Sequence, residues 1–136
     1  MSAVPEIIFV DSNGSLNFGN YLSAEKLKSD DFEVNGDVYK VKTHNEITRA
    51  EKNGKLLYES IPGTNVCSFK LCERECKFTI EGSENAQVTL ELEPETEYEI
   101  YIDNESAGKT RSTITSKLSF SVDLINNKRD IIIERI

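Results

Sequence analysis

Residues 87–124 are QVTLELEPETEYEIYIDNESAGKTRSTITSKLSFSVDL, and this stretch decides the fold class. Apolar side chains occupy every second position on both sides of Pro94: Val88, Leu90 and Leu92 before it, and Tyr98, Ile100 and Ile102 after it. A period of two is typical of β-strands that bury one face, and proline interrupts such a strand because it has no amide proton. The pattern therefore predicts two antiparallel strands joined by a turn.

Two more strands are predicted in the second half of this stretch. Residues 103–108, DNESAG, favour a turn, so the chain is expected to return from Lys109 to Thr115. A final alternating run begins at Leu118 and ends at Leu124, with serine and aspartate at the outward positions. Since the phase of the alternation is kept, we expect these strands to share one buried face.

Residues 92–98, LEPETEY, resemble the turn before the sixth strand of fibronectin type III and related sandwiches, where a Leu-x-Pro-x-Thr-x-Tyr run forms a tyrosine corner. The resemblance implies a corner made by Leu92, Pro94, Thr96 and Tyr98, with the Tyr98 hydroxyl bonded to nearby backbone. The continuation through residue 124 is similar to β-modules appended to carbohydrate-active enzymes and to short β-rich bacterial proteins loosely labelled as endosialidase chains. This similarity covers roughly the last half of the chain and implies a fold.

Turn signals earlier in the chain predict further hairpins. Asn35-Gly36 and Asn53-Gly54 are dipeptides typical of two-residue hairpin turns. Nine or more short strands are expected, with no convincing helical period. We predict an all-β fold, an antiparallel β-sandwich of jelly-roll or fibronectin type III-like form, over residues 29–136. Residues 1–28 are predicted to form an N-terminal arm or an edge hairpin laid against it.

Composition limits the classes of partner. The 136 residues include 24 acidic and 16 basic side chains, which gives a net charge of −8. Such a chain repels nucleic acid and anionic membranes, so we expect neither a nucleic-acid partner nor membrane insertion. The start at Met1 lacks the pattern of a signal peptide. Either the protein is cytoplasmic as synthesised or a signal has been removed; Met1 favours the first, and we expect a cytoplasmic protein that could later be incorporated into a surface structure or particle.

Both ends of the chain carry apolar, strand-forming residues. These strands can pair within the domain, or one of them can cross to another copy by strand addition, because an unpaired apolar edge templates pairing. The second alternative predicts a homo-oligomer or a larger assembly. The candidate assembly residues are Ile7, Ile8, Phe9, Val10, Ile131, Ile132, Ile133 and Ile136.

Charge is unevenly distributed along the chain. Between Phe78 and Gly108 there are nine acidic residues and no Lys or Arg. The plain interpretation is a solubilising face that blocks unwanted pairing. The alternative is that copies stack an acidic face on a basic one, which would make assembly sensitive to salt. The basic stretches are Lys40, Lys42, Arg49, Lys52 and Lys55, and then Lys109, Arg111 and Lys117.

The three cysteines, Cys67, Cys72 and Cys76, lie within ten residues. In a reducing compartment they would be thiols, and in an oxidising one they could pair or link neighbouring subunits. We expect the segment 72–76 to be a hairpin loop with accessible, cross-linkable thiols. Zinc needs four ligands, and His44 is the only histidine to complete the set, so no metal site is predicted.

No pattern indicates catalysis, since a nucleophilic triad would have only His44 and there is no Gly-x-Ser-x-Gly elbow. We expect a non-enzyme without a cofactor. The first hypothesis is a structural or assembly subunit that self-associates or docks on a larger particle through terminal strands and charged faces. The second, implied by the resemblance, is an accessory carbohydrate-binding module. Without Trp, its candidates are the tyrosines other than Tyr98, and Tyr101 is preferred because it lies on a polar strand face. The others are Tyr21, Tyr39 and Tyr58.

Overall fold

A computed structural model describes residues 7–125 and 127–136. Within these residues the chain forms thirteen β-strands and no helix, and so none that is long and apolar enough to cross a membrane. In chain order the strands are β1 (Ile8–Val10), β2 (Leu16–Phe18), β3 (Leu27–Val34), β4 (Asp37–Thr43), β5 (Thr48–Lys52), β6 (Lys55–Ile61), β7 (Asn65–Leu71), β8 (Glu75–Gly82), β9 (Ala86–Glu91), β10 (Glu97–Ile102), β11 (Glu105–Arg111), β12 (Lys117–Val122) and β13 (Asn127–Arg135).

The strands form two antiparallel sheets that pack face to face, which confirms the predicted β-sandwich. The first sheet has the order β1-β2-β7-β8-β13-β10-β11, and the second has the order β12-β9-β6-β5-β4-β3. Each sheet buries alternate side chains, so the core lies between them. At its centre the Tyr58 ring of the second sheet meets the Phe18 and Phe78 rings of the first edge to face, at centroid distances of 5.3 and 5.8 Å.

Two-residue turns close several of the hairpins. Asn35-Gly36 joins β3 to β4 and Asn53-Gly54 joins β5 to β6, with φ between 50° and 85° at all four residues. Positive φ at both positions is the signature of the turn whose twist matches that of the flanking strands. The two Asn-Gly hairpins predicted from the sequence are confirmed.

The stretch 87–124 is divided between the sheets, and here two predictions are wrong. β9 and β12 lie in the second sheet and β10 and β11 in the first; β9, β10 and β12 therefore face the core from opposite sides, and the side chains of β11 are mostly exposed. The turn after β10 is also shorter than expected. Asp103 and Asn104 both have positive φ and close it alone, because short polar side chains tolerate this conformation. β11 therefore begins at Glu105.

The C-terminal strand is internal, so its predicted role as a free assembly edge is wrong. β13 pairs with β8 on one side and with β10 on the other, which uses its backbone hydrogen-bonding groups. Ile131 and Ile133 are buried in the core, Ile132 lies on the outer face and is half-buried, and Ile136 is exposed beyond the strand.

The N-terminal strand does lie at a sheet edge. β1 and β2 form an antiparallel hairpin on the first sheet, but Ile7, Ile8, Leu16 and Phe18 belong to the common core. Phe9 points outward and is exposed, and Val10 is half-buried. The hairpin is thus part of the sandwich. Residues 1–6 of the predicted arm lie outside the described residues.

Candidate functional site

A groove of about 1090 Å³ crosses one end of the second sheet. Its apolar lining consists of Leu27, Ile47, Ile61 and Pro62, and its charged lining includes Lys26, Lys28, Lys42, Glu46 and Glu84. Ile61 is 56% exposed, which is unusual for an isoleucine at the end of a central strand. An apolar floor beside several amines can hold a ligand or partner that is itself part apolar and part anionic.

The register of β3, β4 and β5 places like charges side by side. Lys42 lies directly opposite Lys28 on one neighbouring strand and Arg49 on the other. We call Lys28, Lys42 and Arg49 the basic row. Like charges at directly opposite positions repel, so such a row costs stability unless anions offset it.

The ends of the basic row are compensated and its middle is not. Arg49 donates to Glu59 at 2.5 Å and to Glu51 at 3.4 Å, and the hydrogen bond to Glu59 raises the pKa of its guanidinium. The Lys28 amine lies 3.5 Å from Asp30. Lys42 has no carboxylate within 4 Å among the described residues, so its amine is available to a partner.

The loops beneath the groove are held by a buried network of hydroxyl groups. The Thr48 hydroxyl donates to the Thr64 carbonyl at 2.8 Å and accepts the Thr64 amide at 3.0 Å. Its one proton is therefore used, and Thr43 must donate the 2.8 Å bond between the Thr43 and Thr48 hydroxyls. Thr43 in turn accepts the Asn20 amide at 2.9 Å. Every hydroxyl in this set has a defined role.

The same network reaches the centre of the core. The hydroxyls of Tyr58 and Ser60 each lie 2.7 Å from the Thr64 hydroxyl, and burial raises the pKa of Tyr58. A Cβ atom at Gly63 would collide with the carbonyl oxygen of His44, so only glycine allows the two loops to meet. The groove is thus built on loops that are fixed from below.

The turn between β9 and β10 lies at the other end of the sandwich. β6 and β9 are antiparallel, with Ile61 opposite Gln87 and Tyr58 opposite Leu90. Moving from the groove at Ile61 along β6 therefore leads toward Glu91 and the turn that follows it. The groove and this turn are separated by the length of the strands.

The turn has the hydrogen bonding that the fibronectin type III resemblance implied. The Tyr98 hydroxyl accepts the Glu93 amide at 3.1 Å, and the Thr96 hydroxyl donates to the Pro94 carbonyl at 2.9 Å. Buried Ser112 also stabilises the turn, because its hydroxyl donates to the Glu93 carbonyl at 2.5 Å and accepts the Thr96 amide at 2.9 Å. The turn is a rigid feature.

This turn presents three exposed carboxylates, those of Glu93, Glu95 and Glu97, around exposed Pro94; we call these four residues the acidic corner. Among the part of the chain that the structure describes, no Lys or Arg nitrogen lies within 4 Å of these carboxylates.

Part of the rest of the acidic run has basic neighbours within the molecule. Glu91 lies 2.6 Å from the Lys117 amine, and Glu99 lies directly opposite Lys109 on β11. The predicted segregation into an acidic and a basic face is therefore wrong for these strands, because antiparallel pairing brings the later basic stretch alongside the acidic one. Charge of one sign is segregated at the acidic corner and at the basic row.

The three cysteines occupy different environments, and all are free thiols. Cys72 lies at the β7–β8 turn and is exposed, as expected for a hairpin loop, and Cys67 is exposed on β7. Cys76 points into the core from β8, and burial raises its pKa to about 12. The prediction of an accessible, cross-linkable thiol is wrong for Cys76, since it follows the inward phase of Phe78 and Ile80.

Within residues 7–125 and 127–136, no three or more His, Cys, Asp or Glu side chains form a group that could hold a metal ion. His44 is nearly buried in the turn between β4 and β5, where its Nδ1 lies 3.2 Å from the Asn45 side-chain oxygen. It is on the second sheet, whereas the cysteines are on the first.

The tyrosines proposed as glycan contacts are mostly turned inward. Tyr58 is completely buried, so its prediction as a surface residue is wrong, and Tyr39 packs against the core. Tyr21 is half-buried. Tyr101 is on the outer face of the first sheet, directly opposite Ile132 of β13 and Ser106 of β11. Of these four, Tyr101 is the one with a neighbouring apolar side chain on an outer face.

Sequence reasoning missed the structural role of Ser112 and of the buried threonines. Short hydroxyl side chains at inward strand positions interrupt the apolar pattern and resemble loop residues. The available signal was the position of Thr43 and Thr48 on either side of a four-residue turn, where two inward hydroxyls face each other.

Comparison of the chain with protein-family models, with curated proteins and with solved structures found no match. The resemblance to fibronectin type III and carbohydrate-active modules stays a prediction. What the geometry defines is a β-sandwich with a basic groove at one end and an acidic, proline-tipped corner at the other.

Proposed function

We propose that this protein is a non-catalytic assembly subunit whose copies stack end to end, acidic corner into basic groove. The observation that carries the proposal is that uncompensated charges of opposite sign lie at opposite ends of the molecule: Lys42 in the groove and Glu93 and Glu95 at the corner. Contacts between two different surfaces do not close on themselves unless a rotation forms a ring. The expected product is a filament or a ring.

The two surfaces also match in their apolar parts. The groove has an apolar floor formed by Leu27, Ile47 and Ile61 beneath its amines. The corner presents the Pro94 ring between carboxylates, held in place by Tyr98 and Ser112. Insertion of this ring would cover the exposed part of Ile61, and both surfaces are preorganised, which lowers the entropic cost of association.

Charge alone does not make such a contact strong. An exposed ion pair is worth about 0–1 kcal/mol, so stacking needs several pairs together with the apolar contact. The Debye length falls from about 10 Å at 0.1 M salt to about 3 Å at 1 M salt, so the stacks are expected to shorten as salt rises. A larger particle with a similar acidic turn would dock by the same groove.

The test is a charge exchange between the two surfaces. Lys28→Glu/Lys42→Glu makes both ends acidic and Glu93→Lys/Glu95→Lys makes both ends basic, so neither variant alone is expected to form stacks at low salt. An equimolar mixture restores opposite charges at every junction and is expected to form stacks again. Light scattering and negative-stain microscopy measure the size.

The control is Lys70→Glu/Lys77→Glu, which makes the same change in net charge at two paired, exposed positions of β7 and β8, outside the groove and the acidic corner; it is expected to stack like the wild type. A wild type that stays single at low salt would refute the stacking proposal. So would a mixture of the two exchanged variants that remains unassembled while each is folded by circular dichroism.

A second candidate function is carbohydrate binding at Tyr101. The observation that favours it is the apolar strip that Tyr101 and Ile132 form on the outer face of the first sheet, where a sugar ring could lie against the tyrosine. Tyr101→Ala is expected to abolish retardation of the protein in native gels that contain a bound polysaccharide, with Tyr21→Ala as the control. Equal migration of wild type and Tyr101→Ala in every gel would exclude this site.

A further inference from the structure

The sandwich has four edge strands, and three of them are protected against pairing. β3 carries charged residues and a register shift between Ser29 and Phe32, and β11 is opposite a shift between Ile100 and Tyr101. β1 is only three residues long. Charges, bulges and short length are the usual means by which proteins prevent a sheet edge from recruiting another strand.

β12 lacks these protections over residues 118–122. Its pairing with β9 is unbroken from Lys117 to Val122, and residues 118–122, LSFSV, contain no charge, glycine or proline. No strand of the described residues lies on its other side. Leu118 and Val122 are buried and Phe120 is half-buried, so the inward face of the edge is apolar.

The backbone groups at this free edge can be assigned. The Leu92 amide donates to the Ser116 carbonyl, so even-numbered residues of β12 direct their backbone groups toward β9 and odd-numbered residues direct theirs outward. The outward groups of Lys117 are already used, because its amide donates to the Thr113 hydroxyl at 3.1 Å and its carbonyl accepts the Thr113 amide at 2.9 Å.

The outward carbonyl of Asp123 is also used, since it accepts a hydrogen bond from Arg129 Nε at 2.9 Å. Ser119 and Ser121 are left as the two residues of β12 whose amide and carbonyl both face outward without an assigned partner in the described chain. A second copy of this edge, running antiparallel, presents the same two residues. Each copy can therefore offer its free amides and carbonyls to the other.

We propose that β12 pairs antiparallel with β12 of a second copy about a two-fold axis at Phe120. In this register Ser119 of one copy lies opposite Ser121 of the other, and each such pair exchanges two backbone hydrogen bonds. The pairing ends at these residues in each direction, because the outward backbone groups of Lys117 and Asp123 are bonded to Thr113 and Arg129 of the same chain. A two-fold axis at Ser119 or Ser121 would instead place a serine opposite Lys117 or Asp123, whose outward backbone groups already have hydrogen-bond partners.

The side chains agree with this register. Phe120 meets its own counterpart at the axis, which covers the exposed part of the ring, whereas Leu118 and Val122 are already buried within each copy. Ile114 and Ile125 flank β12 in the chain and are 77% and 59% exposed, so exposed apolar side chains precede and follow the strand.

This inference deepens the proposed assembly role by adding a lateral contact, but it rests on backbone pairing and apolar contact. It therefore predicts a dimer that persists at high salt, where end-to-end stacks dissociate. Dimers at high salt without stacks at low salt would refute the stacking and leave the edge pairing intact, and stacks without dimers would do the reverse.

The test uses charges placed on the outer face of β12. Ser119→Lys/Ser121→Lys opposes four amines across the axis, and Ser119→Glu/Ser121→Glu opposes four carboxylates. Each pair, placed in the non-stacking Lys28→Glu/Lys42→Glu background, is expected to sediment as a monomer at moderate salt, where the repulsion is not fully screened. The wild type at high salt is expected at twice the 15.4 kDa mass of the chain. An equimolar mixture of the variants at moderate salt is expected to form the heterodimer.

The matched control is Gln87→Lys/Thr89→Lys, because these residues lie directly opposite Ser121 and Ser119 on β9, one strand away from the edge; the control is expected to remain dimeric. The wild type alone gives a second readout, since amide exchange at Ser119 and Ser121 should slow as protein concentration rises. A wild type of monomer mass at all concentrations, or concentration-independent exchange at both serines, would overturn the proposal.

Discussion

Tyr98 shows how one side chain determines the path of the chain between the two sheets. Its ring is buried below β10 while its hydroxyl accepts the Glu93 amide of the preceding turn at 3.1 Å. The same turn carries the acidic corner, so the bond both stabilises the fold and orients the carboxylates of the proposed stacking surface.

Tyr98→Phe is therefore expected to lower the free energy of unfolding by about 1 kcal/mol, because the part-buried Glu93 amide loses its acceptor. Urea denaturation measures this change. Tyr101→Phe, which removes a hydroxyl from an outer face, is the control and should leave the midpoint almost unchanged. Equal midpoints for wild type and Tyr98→Phe would show that the bond contributes nothing to stability.

The cysteines make a second prediction for single residues. Thiolates are the reactive form, and burial raises the pKa of Cys76 to about 12, so this thiol is protonated at pH 8. Iodoacetamide is expected to label Cys67 and Cys72 in the folded protein and Cys76 only after unfolding, as read by peptide mass spectrometry. Labelling of Cys76 in a folded Cys67→Ser/Cys72→Ser variant would contradict its burial.

Among the structural elements, the β1–β2 hairpin depends on one carboxylate in its turn. Asp11 accepts the amides of Asn13 and Ser15 at 2.9 and 3.1 Å and the Asn17 side-chain amide at 3.1 Å. The hydrogen bond from Asn17 is the main cause that lowers the pKa of Asp11. Asn17 also accepts the Ser68 amide of β7, so the turn is tied to the rest of the sheet.

The stability that Asp11 contributes is therefore expected to depend on pH. Because the pKa is lower in the folded state than in the unfolded one, the stabilisation is fully present above the ordinary aspartate value of about 3.9 and is lost as pH falls through the folded value. Asp11→Ala should melt below the wild type at pH 7, and the difference should shrink at more acid pH. Asp31→Ala is the control, since Asp31 makes no hydrogen bond or ion pair among the described residues. A constant difference would contradict the assignment.

For the whole molecule, the position of β13 changes what the end of the chain is expected to do. β13 joins β8 to β10 in the middle of the first sheet, and it provides Ile131 and Ile133 to the core. Loss of this strand would remove the connection between the two halves of the sheet. Truncation of residues 130–136 should therefore unfold the protein rather than dissociate an assembly.

Ile133→Ala tests this position without removing the strand. A completely buried isoleucine truncated to alanine leaves a cavity, and the expected loss of unfolding free energy is about 2–5 kcal/mol. Ile136→Ala is the matched control, because Ile136 is exposed beyond the strand. Thermal and urea unfolding measure both. Similar small effects of the two substitutions would show that β13 is not central.

Much of the local structure was accessible from sequence patterns. The alternation around Pro94 and the two Asn-Gly dipeptides depend on interactions between near neighbours, so they predicted strands and turns that the structure contains. The inward position of Cys76 was also available, because it shares its phase with Phe78 and Ile80. The error there came from assigning the residue to the loop rather than to the strand.

The candidate sites were less accessible, because they depend on which strands become neighbours. Lys28, Lys42 and Arg49 are far apart in sequence and form a row only in the register of β3, β4 and β5. The backbone groups of Ser119 and Ser121 are likewise free because β12 is the last strand of its sheet. Thr113 and Arg129 bond the neighbouring outward groups, which leaves these two residues as the free ones among the described residues of the strand.

The sequence by itself determined an all-β chain with tight turns, because side-chain alternation and turn residues act over a few positions. The tertiary structure alone decided which strands are central and which are edges, which charges are paired and which are left over. The physical reason is that an alternating strand buries one face equally well in either sheet. Its sheet, its neighbours and its register are chosen by the packing of the whole core.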